Sequence, residues 1–177
     1  ADVGGSEIRI QDRVSNQGFR STPHMFFYHV NLGYPLLDEG ARFVAPIRDV
    51  VWAAHAGDKY QAQNVGYHTA PAPIEGFVEQ VWQHELAANP NDDAPAALMN
   101  EKLGLGFEIC SKKSQLPCLY QWQNFQAGEY ALGIEPSTHH VKGNLFARGR
   151  GEMIWLEHGQ ERCYDLKLSI LDGPQAL

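Results

Sequence analysis

The stretch "RCYDLKLSIL", residues 162–171, sets Tyr164, Leu166, Leu168 and Ile170 in alternation with Cys163, Asp165, Lys167 and Ser169. Successive side chains of an extended backbone leave on opposite faces, so this pattern is a strand with one face buried and the other wet. On a helix the same apolar residues would scatter around the circumference. The stretch "EIRIQDRV", residues 7–14, repeats the pattern with Ile8, Ile10 and Val14. Further strands are expected over residues 24–31, 43–54, 76–86, 95–101, 103–112, 118–125, 130–135 and 152–157, parted by turn-forming clusters such as "NPNDDAP" and "QLP". Many short strands with little helical periodicity predict an all-β fold, an antiparallel β-sandwich or barrel. The 177 residues fit a single domain with a real core, and linker-like pieces are confined to residues 1–5, 89–95 and 173–177.

Charge narrows the function classes. The chain has 14 Lys and Arg against 21 Asp and Glu, with the basic residues scattered, which argues against nucleic acid as a partner. A neutral or hydroxyl-rich small molecule fits better. No apolar run approaches the ~20 residues that span a bilayer, and residues 1–20 lack the pattern of a secretory signal, so no membrane partner is expected. Three cysteines, Cys110, Cys118 and Cys163, leave at least one unpaired and match no zinc spacing. That favours a reducing, cytoplasmic setting.

The eight histidines raise the question of a metal. His24 and His29 are five apart, on opposite faces of a strand, and His139 and His140 diverge on an extended backbone, so no metal site is expected. The chain has no G-x-S-x-G elbow, P-loop or complete G-x-G-x-x-G, which removes the main support for hydrolase, nucleotide and dinucleotide readings. Two stretches carry chemistry. In "ALGIEPSTHH", residues 131–140, an apolar strand is expected to end at Glu135, directly before Pro136, at a sheet rim beside Ser137, Thr138 and His139. In "YHVNLGYPLLDEG", residues 28–40, His29 lies in an apolar strand that leads to Asn31, Tyr34, Asp38 and Glu39. By itself His29 reads as a core histidine, and Asp38 and Glu39 read as turn residues before Gly40.

The order of these motifs resembles the aldose 1-epimerase, or galactose mutarotase-like, superfamily. The matching elements are Val14, Asn16 and Gly18, then His29, Asn31 and Tyr34, then Trp122 and Gln123, then Ile134, Glu135 and Pro136, closed by "LEHGQERCYDLKLSILDG". The wording "HVNLGYPLLDEG" with "GIEPST" is similar to an uncharacterised bacterial subgroup of that superfamily. Mutarotases proper carry a His-x-Tyr-Phe-Asn run and Glu-Pro-Gln at these places, which leaves the sugar open. The resemblance implies a carbohydrate isomerase that opens and recloses a sugar ring, with Glu135 as base, His29 as acid and no cofactor. It also implies sugar contacts from Asn31, Tyr34, Asp38, Trp122 and Gln123. The competing expectation is a non-catalytic carbohydrate-binding or sensor module on the same sandwich. The likeness covers the C-terminal portion of such proteins, which exceed the usual ~100–150 residues of a domain. The chain is therefore expected to be one part of a longer polypeptide, incomplete at its N-terminal side, that joins the remaining portion or self-associates.

Overall fold

The two most regular alternating stretches become β1 (Glu7–Ser15) and β12 (Glu161–Asp172), which pair antiparallel with Ile8 opposite Leu168 and Ile10 opposite Leu166. This computed structural model describes residues 1, 3–54, 63 and 65–173. Next to β12 lies β8 (Leu105–Lys112), followed by β7 (Asp93–Asn100) and β4 (Arg42–Val44), in a five-stranded antiparallel sheet ordered β1-β12-β8-β7-β4. A second five-stranded sheet is ordered β3 (Val30–Leu32), β10 (Ala131–Ser137), β9 (Cys118–Asn124), β6 (Gln80–Leu86) and β5 (Ile47–Ala54). A small ribbon of β2 (Thr22–His24) and β11 (Ile154–Leu156) and a short helix α1 (Asn144–Gly149) complete the described elements.

The chain thus forms the expected all-β antiparallel sandwich. Leu98, Ile109, Tyr164 and Leu166 from the first sheet share one buried cluster with Leu86, Leu119, Leu132 and Ile134 from the second. Removing these apolar surfaces from water is what holds the sheets together, at about 25 cal/mol per Å² of apolar area. Among the described residues no helix is long and apolar enough to cross a membrane.

Several expected boundaries move. The strand expected over residues 24–31 parts into β2 and β3, with only an isolated bridge from Phe27 to Ser137 between them. The Phe26 amide donates to the Thr138 hydroxyl and the Phe26 carbonyl accepts from the Thr138 amide, so this segment crosses the end of β10 instead of extending a ladder. The strand expected over residues 43–54 breaks at Ala45–Pro46, and the chain passes there from the first sheet to the second. Proline lacks a ladder donor and restricts the residue before it, so the break follows from the sequence. Residues 174–177 of the expected C-terminal linker lie outside the described residues.

Pro136 is the informative correction, because β10 runs through it to Ser137 instead of ending at Glu135. The Pro136 carbonyl accepts from the Tyr28 amide. In a strand a residue's amide nitrogen and carbonyl point the same way, so the donorless nitrogen faces the irregular 25–29 segment and not β9. No ladder bond is lost, and Glu135 sits inside the strand.

Chemical denaturation tests this placement. Ile134→Ala, which empties a fully buried site, is expected to cost about 2–5 kcal/mol. Pro136→Ala should cost no more than about 1 kcal/mol, mainly through a freer unfolded chain.

Candidate active site

On β10, Leu132 and Ile134 point into the core, so Ala131, Gly133, Glu135 and Ser137 share the outer face of the second sheet. Residues directly opposite across a ladder point the same way, which places Trp122 and Asn31 beside Gly133 and places Tyr120 beside Glu135. His29 comes in over the same face, and its Nε2 lies 2.9 Å from Glu135 Oε1. Gly133 makes this approach possible. A Cβ at that position would stand 2.7 Å from Glu135 Oε1, 3.1 Å from His29 Cε1 and 3.3 Å from Asn31 Oδ1. The glycine is the floor on which the carboxylate, imidazole and amide converge.

Burial sets the proton affinities. Glu135 is 3% exposed, and burial pushes its carboxyl up to about 7, with the negative charge of Glu79 adding to the rise. Burial also pulls His29 below the ordinary histidine range, opposed in part by a side-chain hydrogen bond with Asn31. The expected base and acid are therefore not a simple carboxylate beside an imidazolium. Desolvation disfavours the charged form of both groups, so near neutrality the two share about one proton and titrate as a unit. Glu135 Oε1 is buried and has no aligned hydrogen-bond donor despite the close imidazole. Trp122 stands edge-on to His29 with ring centroids 5.8 Å apart, its indole N–H donating to Glu79 Oε2 at 2.9 Å.

Of the other expected sugar contacts, Asn31 and Trp122 join the pair and three do not. Gln123 follows Trp122 directly and so faces the core side, where its Oε1 accepts from Gln80 Nε2 at 2.7 Å and from Trp82 Nε1 at 3.0 Å. Adjacent strand residues leave on opposite faces, so the structure does not bring Gln123 to the face of Trp122. Tyr34 lies in the turn beyond β3 and is 80% exposed. Asp38 accepts the Ala41 amide at its carbonyl and lies near Tyr130, whose hydroxyl pKa its charge helps to raise after burial. Tyr130 is five residues from Glu135, a span of about 17 Å along a strand. Gly133 and Glu79 were missed. The run of small residues around Glu135 at i±2 was a readable signal for Gly133. Glu79 precedes β6 by one residue and carries no such signal. Among the described residues no three His, Cys, Asp or Glu side chains gather so as to hold a metal ion, and Cys110, Cys118 and Cys163 are free.

A family profile described as a domain of unknown function, DUF4432, matches residues 1–170. The chain belongs to the DUF4432 family. Comparison of its sequence with curated proteins gives no match. Among solved structures it is similar to a protein of Klebsiella pneumoniae subsp. pneumoniae provisionally named an aldose 1-epimerase. That similarity has a TM-score of 0.87 and 28% identity over 98% of this chain and 45% of that one. It is also similar to a protein of Escherichia coli K12 given the same provisional name, with a TM-score of 0.64 and 17% identity over 95% of this chain and 57% of that one. A galactose mutarotase-like protein of Clostridium acetobutylicum matches with a TM-score of 0.62 and 18% identity over 93% of this chain and 52% of that one. The DUF4432 chain therefore has the galactose mutarotase-like sandwich fold and spans roughly half the length of these structures.

The raised carboxyl makes a stability prediction. A group that binds its proton more tightly when folded makes stability fall as pH rises from its unfolded value toward its folded one. For Glu135 that window runs from the ordinary carboxyl value of 4.5 to about 7, and the full penalty is roughly 3 kcal/mol. Glu135→Gln should therefore be more stable than the parent chain at about pH 8 and nearly equal to it at about pH 4, by urea denaturation at both values. Equal stability at both would mean that the carboxyl is not desolvated.

Proposed function

We propose that this DUF4432 chain carries the acid and base of a carbohydrate isomerase that interconverts the anomers of an aldose. The observation that carries the reading is the buried Glu135 facing His29 at 2.9 Å on the outer face of the second sheet, beside Trp122. The base takes the proton of the anomeric hydroxyl as the acid gives a proton to the ring oxygen. The bond between the anomeric carbon and the ring oxygen breaks to give the open-chain aldehyde. Rotation about the neighbouring carbon–carbon bond and the reverse transfers give the other anomer.

Glu135 serves as base and His29 as acid in the microstate in which the shared proton sits on the imidazole. A proton held within hydrogen-bond distance of both groups can be given or taken by either, which suits a reaction that must run both ways. Trp122 offers an apolar face to the sugar ring, and Asn31 offers its amide to a hydroxyl. No cofactor is required, since no hydride or carbanion forms. A pure binding module has no use for a desolvated carboxyl beside a histidine, so the enzyme reading is preferred over it. The similarity to proteins about twice as long supports a further element of the proposal. The chain is one part of a larger sandwich, and the remaining portion, in cis or as a second chain, supplies the rest of the sugar grip. Three free thiols favour a reducing, cytoplasmic setting for it.

Exchange NMR or polarimetry on freshly dissolved aldoses tests the assignment. Glu135→Gln is expected to lower catalysed exchange by about 10²–10⁴-fold while sugar binding stays within roughly tenfold. The pH dependence of kcat/KM should be bell-shaped. Its alkaline limb, at about 7, is loss of the shared proton, and its acid limb, below the ordinary histidine range, is uptake of a second. Undiminished exchange by the Gln variant would overturn the role of Glu135, and a flat profile would return His29 to packing.

A further inference from the structure

The outer face of the second sheet does not end at Tyr120. Gln83 lies opposite Tyr120 and Trp52 opposite Gln83, so one row runs Glu135, Tyr120, Gln83, Trp52 across four strands. At about 4.8 Å per strand the row places Gln83 about 10 Å and Trp52 about 14 Å from Glu135. There the face opens into a cavity of about 570 Å³ whose lining includes Trp52, His140, Lys142, Phe146, Arg150 and Glu152. The cavity lies on the same face as the Glu135–His29 pair, with the fully buried Tyr120 between them. The His140 ring packs against both Tyr120, at 5.8 Å, and Trp52, at 4.6 Å.

The lining is cationic in a chain whose formal net charge is −7. Lys142 Nζ stands 5.5 Å from the Trp52 ring centroid and 5.2 Å from that of Phe146. The Arg150 guanidinium lies 5.4 Å from the Phe146 ring, and its Nε donates to Glu152 Oε1 at 2.6 Å. Glu152 is the one carboxylate on the described lining and is taken up by Arg150, while no carboxylate pairs with Lys142 among the described residues. His140 Nδ1 accepts the Lys142 amide at 3.1 Å. A neutral His140 ring therefore carries its proton on Nε2, as a donor.

We propose that this cavity binds an oxyanion on the end of the sugar remote from its anomeric carbon, which makes the substrate an acidic or phosphorylated aldose. Lys142 supplies the uncompensated charge, and Arg150 supplies guanidinium donors held in place by Glu152. The aromatic walls, Trp52 and Phe146, stack against these cations and hold them at the cavity. The 10–14 Å from Glu135 matches one sugar ring bearing a substituent on its terminal carbon, with a hydrogen bond at either end.

This inference rests on the epimerase reading for the position of the anomeric end, and a test with non-reacting ligands separates the two. Methyl glucoside, methyl glucuronide and methyl glucoside 6-phosphate cannot open their rings, so titrating each into the chain by calorimetry or NMR reports binding alone. At least one anionic glycoside is expected to bind roughly tenfold tighter than the neutral one, with the advantage fading as salt is raised. Whichever anion binds tighter distinguishes a carboxylate from a phosphate. In Lys142→Gln/Arg150→Gln the ratio of anionic to neutral affinity should fall to about one, and Lys142→Arg should keep most of it. Equal binding of neutral and anionic glycosides by the parent chain would overturn the inference without any variant, as would a preference that survives in the double variant. A chain that prefers anionic glycosides but exchanges no aldose even when joined to the remaining portion of its sandwich would refute the epimerase reading and leave the oxyanion site standing.

Discussion

A carboxyl group held out of water against an imidazole, over a residue with no side chain, is the contact on which the rest of this structure depends. It is costly, because desolvation penalises the ionised carboxylate and no aligned donor meets Oε1. Its position follows from β10 alone. Leu132 and Ile134 commit one face of the strand to the core, and alternation then commits Gly133 and Glu135 to the other. The core thus fixes where the carboxyl points, and the neighbouring strands bring Asn31, Trp122 and Tyr120 to it by register.

The same burial that weakens the fold tunes the chemistry. An exposed glutamate would be a weak base near neutrality, and an exposed histidine would exchange its proton with water before it reached a sugar oxygen. Burial raises the proton affinity of Glu135 to about 7 and lowers that of His29, so the carboxyl competes with the imidazole for a proton, as the proposed ring opening needs. The stability lost at Glu135 is small against what the twenty-two buried hydrophobic residues among the described ones contribute. The sandwich can tolerate one desolvated acid.

Much of this was legible in the sequence. The alternation of Tyr164, Leu166 and Leu168 with polar residues gave the sheet, and its antiparallel partner at residues 7–14 pairs as the pattern requires. The motif order pointed to His29 and Glu135, which meet at 2.9 Å. What failed was positional. Pro136 was read as the end of a ladder because proline removes a donor, yet a strand needs that donor only on a side where a regular partner lies. Gln123 was named beside Trp122 as a sugar contact, and period-two alternation turns the two adjacent residues to opposite faces. The shifted proton affinities were not readable, because they depend on how deeply β9, β10 and the 25–29 segment bury the pair. Tertiary distance, not local pattern, decides that.

The amides turned toward the core from the second sheet have a consequence for assembly. Gln80, His84, Gln121 and Gln123 are each at most 1% exposed, and Gln123 Oε1 is shared by Gln80 and Trp82 while Gln121 Oε1 meets His84 Nε2 at 2.9 Å. An apolar layer would tolerate β6 sliding along β9 by two residues, since one leucine packs much like another. A layer of amides does not, because every slipped alignment strands several buried polar groups without partners, at about 1–3 kcal/mol each. These side chains therefore act as a key that admits a single alignment of β6 on β9. Trp122 and Tyr120 stand beside Gly133 and Glu135 because the opposite surface of their own strand is locked.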